Sequence, residues 1–366
     1  MKSILSWLPL IALAAIVVVV LLLSFSSNEK VASFPHYAQA EPTEARRQVT
    51  VSVFGWTGFW DEDRSLKNLE TAVQFLDGFS PGFYHITPEG KLGQQPVVHR
   101  ELMFDLARSR GLSITPVIGD DFDFARVDRL LYDETIQQAF IEQLVEEAEA
   151  EGFDGWDINI ESVTKEDRDA FSTFIRRAAQ VLHEHELTLT VTVFARNKQE
   201  TFTSALAHDY QVLGQAADRV QMMLYLYHND DTVPGAQAPL DWYREVLAYA
   251  LDWIPKDKIV IGISSHGFDW SEESVESLTF PEIQERIAQV NTLVTYTPDG
   301  SSAVAEYNRG GISHELWFED TKTIMKKVSV AIEEFGLGKF IIWRVGAEDP
   351  GLWEKIKSVR EDQEVL

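Results

Sequence analysis

The sequence predicts a (β/α)8 barrel, and three observations carry that expectation. Asp157, Asn159 and Glu161 stand at alternate positions in Gly152-Phe153-Asp154-Gly155-Trp156-Asp157-Ile158-Asn159-Ile160-Glu161-Ser162, with isoleucines between them. Alternate residues of a strand share a face, so the polar trio points one way and Ile158 and Ile160 the other. A strand with an apolar face under helices, and acids on its inner face near the carboxyl end, suits the reactive mouth of such a barrel. Second, short β-branched runs and amphipathic stretches alternate over residues 49–358, as repeated βα units do. Third, 366 residues at 45% hydrophobic content are enough for one large core.

The elements follow in order. Residues 10–23 are continuously apolar, and no charged residue occurs between Lys2 and Glu29. The uncharged run over residues 7–25 has the length of a membrane-spanning helix and exceeds an ordinary signal-peptide core. Residues 1–25 are therefore expected to be an uncleaved membrane anchor, with a cleaved signal as the alternative. Residues 26–48 mix Ser, Pro, Ala, Glu and Gln without apolar periodicity, as a linker does. Either reading puts the following domain outside the cytoplasm, in the cell envelope if anchored and secreted if cleaved. Strands are expected at residues 49–54, 83–86, 113–118, the motif strand, 187–194, 220–225, 259–263 and 340–343. Helices are expected at 66–76, 98–109, 134–151 and 168–182; in the third, Phe140, Leu144, Val145 and Ala148 recur at helical spacing. Residues 271–313 break the alternation with Gly- and Ser-rich sequence, a short helix near 281–290 and a strand-like run at 292–296. They are expected to form a small insertion after strand seven. Residues 359–366 read as an acidic tail.

With 58 acidic against 32 basic residues the formal net charge is −26, which makes nucleic acid and anionic membrane surfaces poor partners. A neutral polysaccharide is not repelled. The absence of cysteine excludes disulfides, thiolate metal sites and a cysteine nucleophile. His183 and His185 are two apart on an expected helix and point to different faces, so the histidines offer no metal-ligand spacing. Neither metal nor cofactor is expected.

A carboxylic acid with an amide two residues before it suits sugar hydrolysis in which the substrate's own acetamide is the nucleophile. One group protonates the leaving oxygen and the other steers the acetamide, the substrate-assisted exception to the two-carboxylate scheme. The motif resembles the Asp-Gly-x-Asp-x-Asp-x-Glu signature of glycoside hydrolase family 18, the chitinase family. Asp154, Gly155, Asp157 and Glu161 match, while Asn159 stands where the family has its third aspartate. The Asn-x-Glu pair itself resembles family 85 endo-β-N-acetylglucosaminidases. Val220-Gln221-Met222-Met223-Leu224-Tyr225-Leu226-Tyr227-His228 is similar to the sixth-strand Met-x-Tyr-Asp-Tyr-His segment, with Leu226 in place of the aspartate. Lys258-Ile259-Val260-Ile261-Gly262-Ile263, followed by His266-Gly267-Phe268-Asp269-Trp270, resembles the seventh-strand pattern. The segments at 315–320 and 342–350 resemble "VWFED" and "WRLGSEDP", which recur in the spore-germination, cortex-lytic branch acting on peptidoglycan. The resemblance spans residues 49–353.

It implies a glycosidase cleaving N-acetylglucosamine-containing glycan, most readily peptidoglycan or a chitin-like polymer. Glu161 would be the general acid, its pKa raised by burial and by the charge of Asp157. Asn159 would hold the acetamide nitrogen, and Tyr225 would hydrogen-bond the acetamide carbonyl. Trp343, closing strand eight, would floor the sugar site, with Trp56, Trp156, Trp270 and Tyr227 extending the binding surface; each tryptophan alone also fits as packing. Two alternatives stand beside this reading: a catalytically silent glycan-binding barrel, suggested by Leu226 and Asn159, and a family 85-like endoglycosidase.

Overall fold

The computed structural model describes residues 49–364, so the anchor or signal expected over residues 1–25 and the linker lie outside the described residues. Eight parallel staves close a ring: β1 (Ser52–Gly58), β2 (Gly78–Gly82, continued by Tyr84–Ile86), β3 (Ser113–Ile114, continued by Val117–Gly119), β4 (Gly155–Ile158), β5 (Thr188–Phe194), β6 (Arg219–Met223), β7 (Ile259–Ser264) and β8 (Lys339–Trp343). Two staves are each broken in two and Leu92–Gln94 adds an antiparallel flank, which makes the eleven segments of the sheet. Closure comes from β8 pairing with both β1 and β7, Val53 opposite Phe340 and Ile261 opposite Phe340. Strand two begins at Gly78, earlier than the sequence suggests, because Gly-Phe-Ser-Pro-Gly reads as a turn until its neighbours pair with it.

The helix Glu134–Glu151 shows how local sequence aims a stave. Asp133 caps its first turn by accepting from the N–H groups of Thr135 and Ile136. Gly152 ends it in the left-handed region at φ 68°, where a side chain is disfavoured. Three residues on, a Cβ at Gly155 would meet the Thr188 carbonyl oxygen at 2.0 Å, so only glycine lets β4 approach β5 there. Outward residues such as Trp156, Ile158 and Leu189 pack under the helices in the main core. The lumen holds a second apolar layer of Phe54, Val117, Met223, Val260 and Ile341. Arg219 enters from the amino end of β6, with its guanidinium 4.8 Å from the Phe54 ring centroid.

After β7 the chain leaves the barrel for an antiparallel sheet of five strands, Val275–Thr279, His266–Ser271, Ile312–Phe318, Ala303–Arg309 and Val294–Tyr296 in spatial order. The helix Phe280–Val290 covers it over a small core of Ile283, Ala303, Ala305, Leu316 and Phe318. This unit is wider than the insertion expected over 271–313, because its first strand begins at His266, with only Ser265 between it and the end of β7. The last helix, Leu352–Glu364, runs into the stretch read as an acidic tail. Among the described residues no helix is long and apolar enough to cross a membrane.

Candidate active site

The strand period of two delivers Asp157, Asn159 and Glu161 to the lumen side of β4 and its extension, at the carboxyl end of the staves. Above them opens a cleft of about 270 Å³ lined by Asn159, Glu161, Tyr225 and Trp343 together with Trp56, Trp60, Tyr84, Asp120, Phe122 and Leu226. Few convergent polar groups in an aromatic-walled hollow is the usual composition of a small-ligand site. Trp343 meets Trp56 edge-on at 5.7 Å and the half-exposed Trp60 at 5.9 Å, which makes an aromatic corner beside the carboxyl groups.

Glu161 is pushed up to about 7, first by burial and then by the charge of Asp120, while a hydrogen bond from Asn159 pulls the other way. That bond runs from Asn159 Nδ2 to Glu161 Oε1 at 3.1 Å. The amide's other atom, Oδ1, is buried and has no protein partner among the described residues. A buried acceptor left open in a cleft is costly unless something else fills it. Tyr225 is buried, and desolvation followed by the charges of Glu161 and Asp157 holds its phenol well above the ordinary value, so it remains a proton donor in hydrogen bonds.

Asp157 lies beneath the cleft rather than on its wall. It accepts from Trp56 Nε1 (3.0 Å), Thr192 Oγ1 (2.8 Å) and Gln221 Nε2 (2.6 Å). Burial pushes it to about 6, restrained by those three donors and by Arg219. The charge acting on Glu161 is therefore that of Asp120, not of Asp157 as the sequence suggested. Asp120, not singled out from sequence, follows β3 as Asn159 and Glu161 follow β4, and its place as an acid just past the carboxyl end of a neighbouring stave is the signal that could have found it.

Three aromatic residues expected to extend the binding surface sit elsewhere. The alternation that turns Asp157 inward turns Trp156 outward, where its Nε1 donates to Leu144 O at 2.9 Å and its ring meets Tyr84 edge-on. Trp270 belongs to the five-stranded unit, with its Nε1 donating to Thr232 O at 3.0 Å. β6 ends at Met223, the backbone takes φ 68° at Leu226, and Tyr227 beyond it packs against Trp242 at 5.2 Å. Trp60 and Phe122, not singled out from sequence, are 59% and 76% exposed at the rim and line the cleft instead.

A closed parallel barrel whose mouth joins a buried, protonatable carboxyl group to an aromatic sugar-sized cleft is the build of a barrel glycosidase. The family model for glycosyl hydrolases family 18 matches residues 55–348, and the chain belongs to that family of glycoside hydrolases. It is similar to the cortical fragment-lytic enzyme of Bacillus subtilis (strain 168), 30% identical over 233 residues that cover 61% of this chain and 54% of that one. The corresponding enzyme of Bacillus anthracis is 29% identical over 251 residues, 66% of this chain and 58% of that one. The chain thus spans little more than half the length of these two relatives. Among solved structures, the Bacillus cereus spore cortex-lytic enzyme SleL superposes with a TM-score of 0.77 at 24% identity, covering 86% of this chain and 75% of that one. A chitinase from Chromobacterium violaceum ATCC 12472 gives 0.76 at 24% identity, with coverage of 84% and 98%. These two likenesses are of fold.

Proposed function

We propose that the cleft cleaves N-acetylglucosamine-containing glycan, with peptidoglycan as the natural polymer, by substrate-assisted retaining catalysis. The observation that carries the reading is Asn159: its buried Oδ1 lacks a partner while its Nδ2 holds the Glu161 carboxyl. An acetamide N–H placed against Oδ1 fills that vacancy and turns the acetamide carbonyl toward the anomeric carbon. Tyr225 then donates its phenol O–H to that carbonyl. Glu161, protonated near neutrality, gives its proton to the leaving glycosidic oxygen and afterwards takes one from water. An amide at position 159 adds no negative charge, so the intermediate is favoured as neutral oxazoline rather than its cation. Trp343 offers an aromatic face to pyranose C–H groups. The cortex-lytic relatives support peptidoglycan over chitin as the polymer.

The test is digestion of purified peptidoglycan and N-acetylglucosamine oligomers by the full chain, read by mass spectrometry. New reducing ends at N-acetylglucosamine are expected, and no cleavage of any acetamido glycan overturns the reading. The apolar run over residues 7–25 further supports an anchored, extracytoplasmic enzyme. Fractionation checks this: the full-length chain is expected with membranes, and recovery from the medium with a new amino terminus near Ser27 replaces the anchor by a cleaved signal.

A further inference from the structure

Glu161 stands past the end of its strand, where the sheet no longer holds the backbone. The last ladder bond on the β3 side is Asn159 N–H to Ile118 O at 3.0 Å. The peptide plane two further on, between Ile160 and Glu161, is beyond it, and its buried N–H and C=O need partners from somewhere. Both come from side chains. Glu161 N–H donates to Asp120 Oδ2 at 2.9 Å, and Ile160 C=O lies 3.2 Å from His208 Nε2. The tautomer follows from the other ring nitrogen: Phe194 N–H donates to Nδ1 at 3.1 Å, so Nδ1 is bare and Nε2 carries the hydrogen that Ile160 accepts.

We propose that Asp120 and His208 are positioning residues that grip the Ile160–Glu161 peptide from its two edges and so aim the Glu161 carboxyl group. The grip comes from both sides of the motif strand: Asp120 ends β3, and His208 lies on the connection that follows β5. Each gripping side chain is itself fixed. Asp120 also accepts from Ser162 N–H at 2.6 Å and, through Oδ1, from Phe122 N–H at 3.0 Å. His208 is enclosed between the Phe171 and Phe194 rings, with centroids 5.3 and 5.6 Å away. Burial, opposed by the Ile160 bond and helped by Arg196, lowers its pKa to about 4, so the neutral tautomer persists through the range where a glycosidase works.

The inference rests on Glu161 being the proton donor, and its test separates the two ideas. In the full chain, Asp120→Ala, Asp120→Asn, His208→Phe and His208→Gln are compared with wild type. Hydrolysis of a chromogenic N-acetylglucosamine oligomer is measured across pH, and backbone hydrogen exchange is followed over residues 158–164 and, as a control, 259–264. Asp120→Ala and His208→Phe are expected to lower kcat by about ten- to a hundredfold with KM within about threefold, because a misaimed group loses rate more than binding. Exchange over 158–164 should rise while 259–264 stays protected. Asp120→Asn keeps an acceptor, so its exchange stays near wild type. The groups facing Glu161 are Asp120 and the neutral Tyr225, so removing the Asp120 charge moves the alkaline limb of the rate profile to lower pH. His208→Gln should fall between wild type and His208→Phe, and the two conservative variants carry the test if the others fail to fold. Unchanged exchange over 158–164 in Asp120→Ala, His208→Phe and His208→Gln, an alkaline limb that stays in place in Asp120→Asn, or a loss confined to KM, overturns the grip. A wild type that cleaves nothing overturns the role of Glu161, while exchange still decides whether the peptide is held.

Discussion

Asp157 and Glu161 are carboxyl groups on the same face of one strand, and their surroundings are opposite in kind. Asp157 is wholly buried, yet three donors and the Arg219 charge limit its rise to about 6. Glu161 opens onto the cleft, takes one side-chain donor, and faces the Asp120 carboxylate, and it rises to about 7. Depth alone therefore does not decide which acid is poised for proton transfer. Satisfied hydrogen bonding marks Asp157 as the brace that holds Trp56 and Gln221, and the shortage of donors beside a like charge marks Glu161 as the group left for chemistry.

The largest expected effect falls on the under-satisfied member. Glu161→Gln keeps shape and removes the proton, so kcat should drop on the order of a hundredfold or more while glycan affinity, measured calorimetrically, is retained. Undiminished cleavage would move the acid elsewhere in the cleft. Asp157→Asn attacks the satisfied member: its NH2 would point at a neighbour that is itself a donor, leaving one buried donor unpaired. Urea unfolding at pH 5, below the Asp157 value of about 6, should show a loss of about 1–3 kcal/mol that shrinks toward pH 8, where the wild type carries the cost of ionising a buried carboxyl group; unchanged stability at pH 5 would break the contrast between brace and acid.

The contrast also has a pH signature in stability. Folding raises the Glu161 carboxyl from 4.5 to about 7, so the folded state binds more protons than the unfolded one between those values. Its contribution is fully present below about 4.5 and is lost as pH rises through about 7. Glu161→Gln carries no such loss. It should match wild type near pH 4 and exceed it at pH 8 by about 1–2 kcal/mol in urea unfolding. A wild type more stable than the variant at pH 8 would contradict the raised value. In activity the sign is the same: the protonated form is the working acid, so kcat/KM should fall as pH passes about 7.

The barrel was legible because its staves are β-branched runs of period two, and the inward trio of β4 was legible from the same period. Read to its end, that period also turned Trp156 outward; its ring belonged with Ile158 and Ile160 from the start. What the sequence hid depends on contacts between distant segments. Asp120 and Asp121 look like turn acids until β3 sets Asp120 beside the end of β4, and His208 gives no local sign that its ring reaches Ile160. Tyr227 lies past the end of β6 at Met223 and past the positive φ of Leu226, which no alternation rule foresees for leucine. The five-stranded unit was underestimated because its first strand follows β7 after Ser265, with no linker to announce it.

The smallest effect comes from giving the open amide a charge. Asn159→Asp keeps the size and an acceptor for the acetamide N–H, so binding should persist and kcat should fall less than tenfold, well short of the loss in Glu161→Gln. The Nδ2 donor to Glu161 Oε1, now 3.1 Å away, is replaced by an oxygen. Losing that bond removes the one side-chain hydrogen bond that, among the described residues, stabilises the Glu161 carboxylate, and a second carboxylate beside it opposes ionisation further. Both changes act in one direction, so the alkaline limb of the rate profile should move to higher pH, the reverse of the shift expected for Asp120→Asn. The pair titrates as a unit, and the limb reports its macroscopic value rather than that of either residue. A limb that stays in place, or moves down, would mean that Asn159 does not govern the Glu161 proton and that its bond to Oε1 only packs the wall of the cleft.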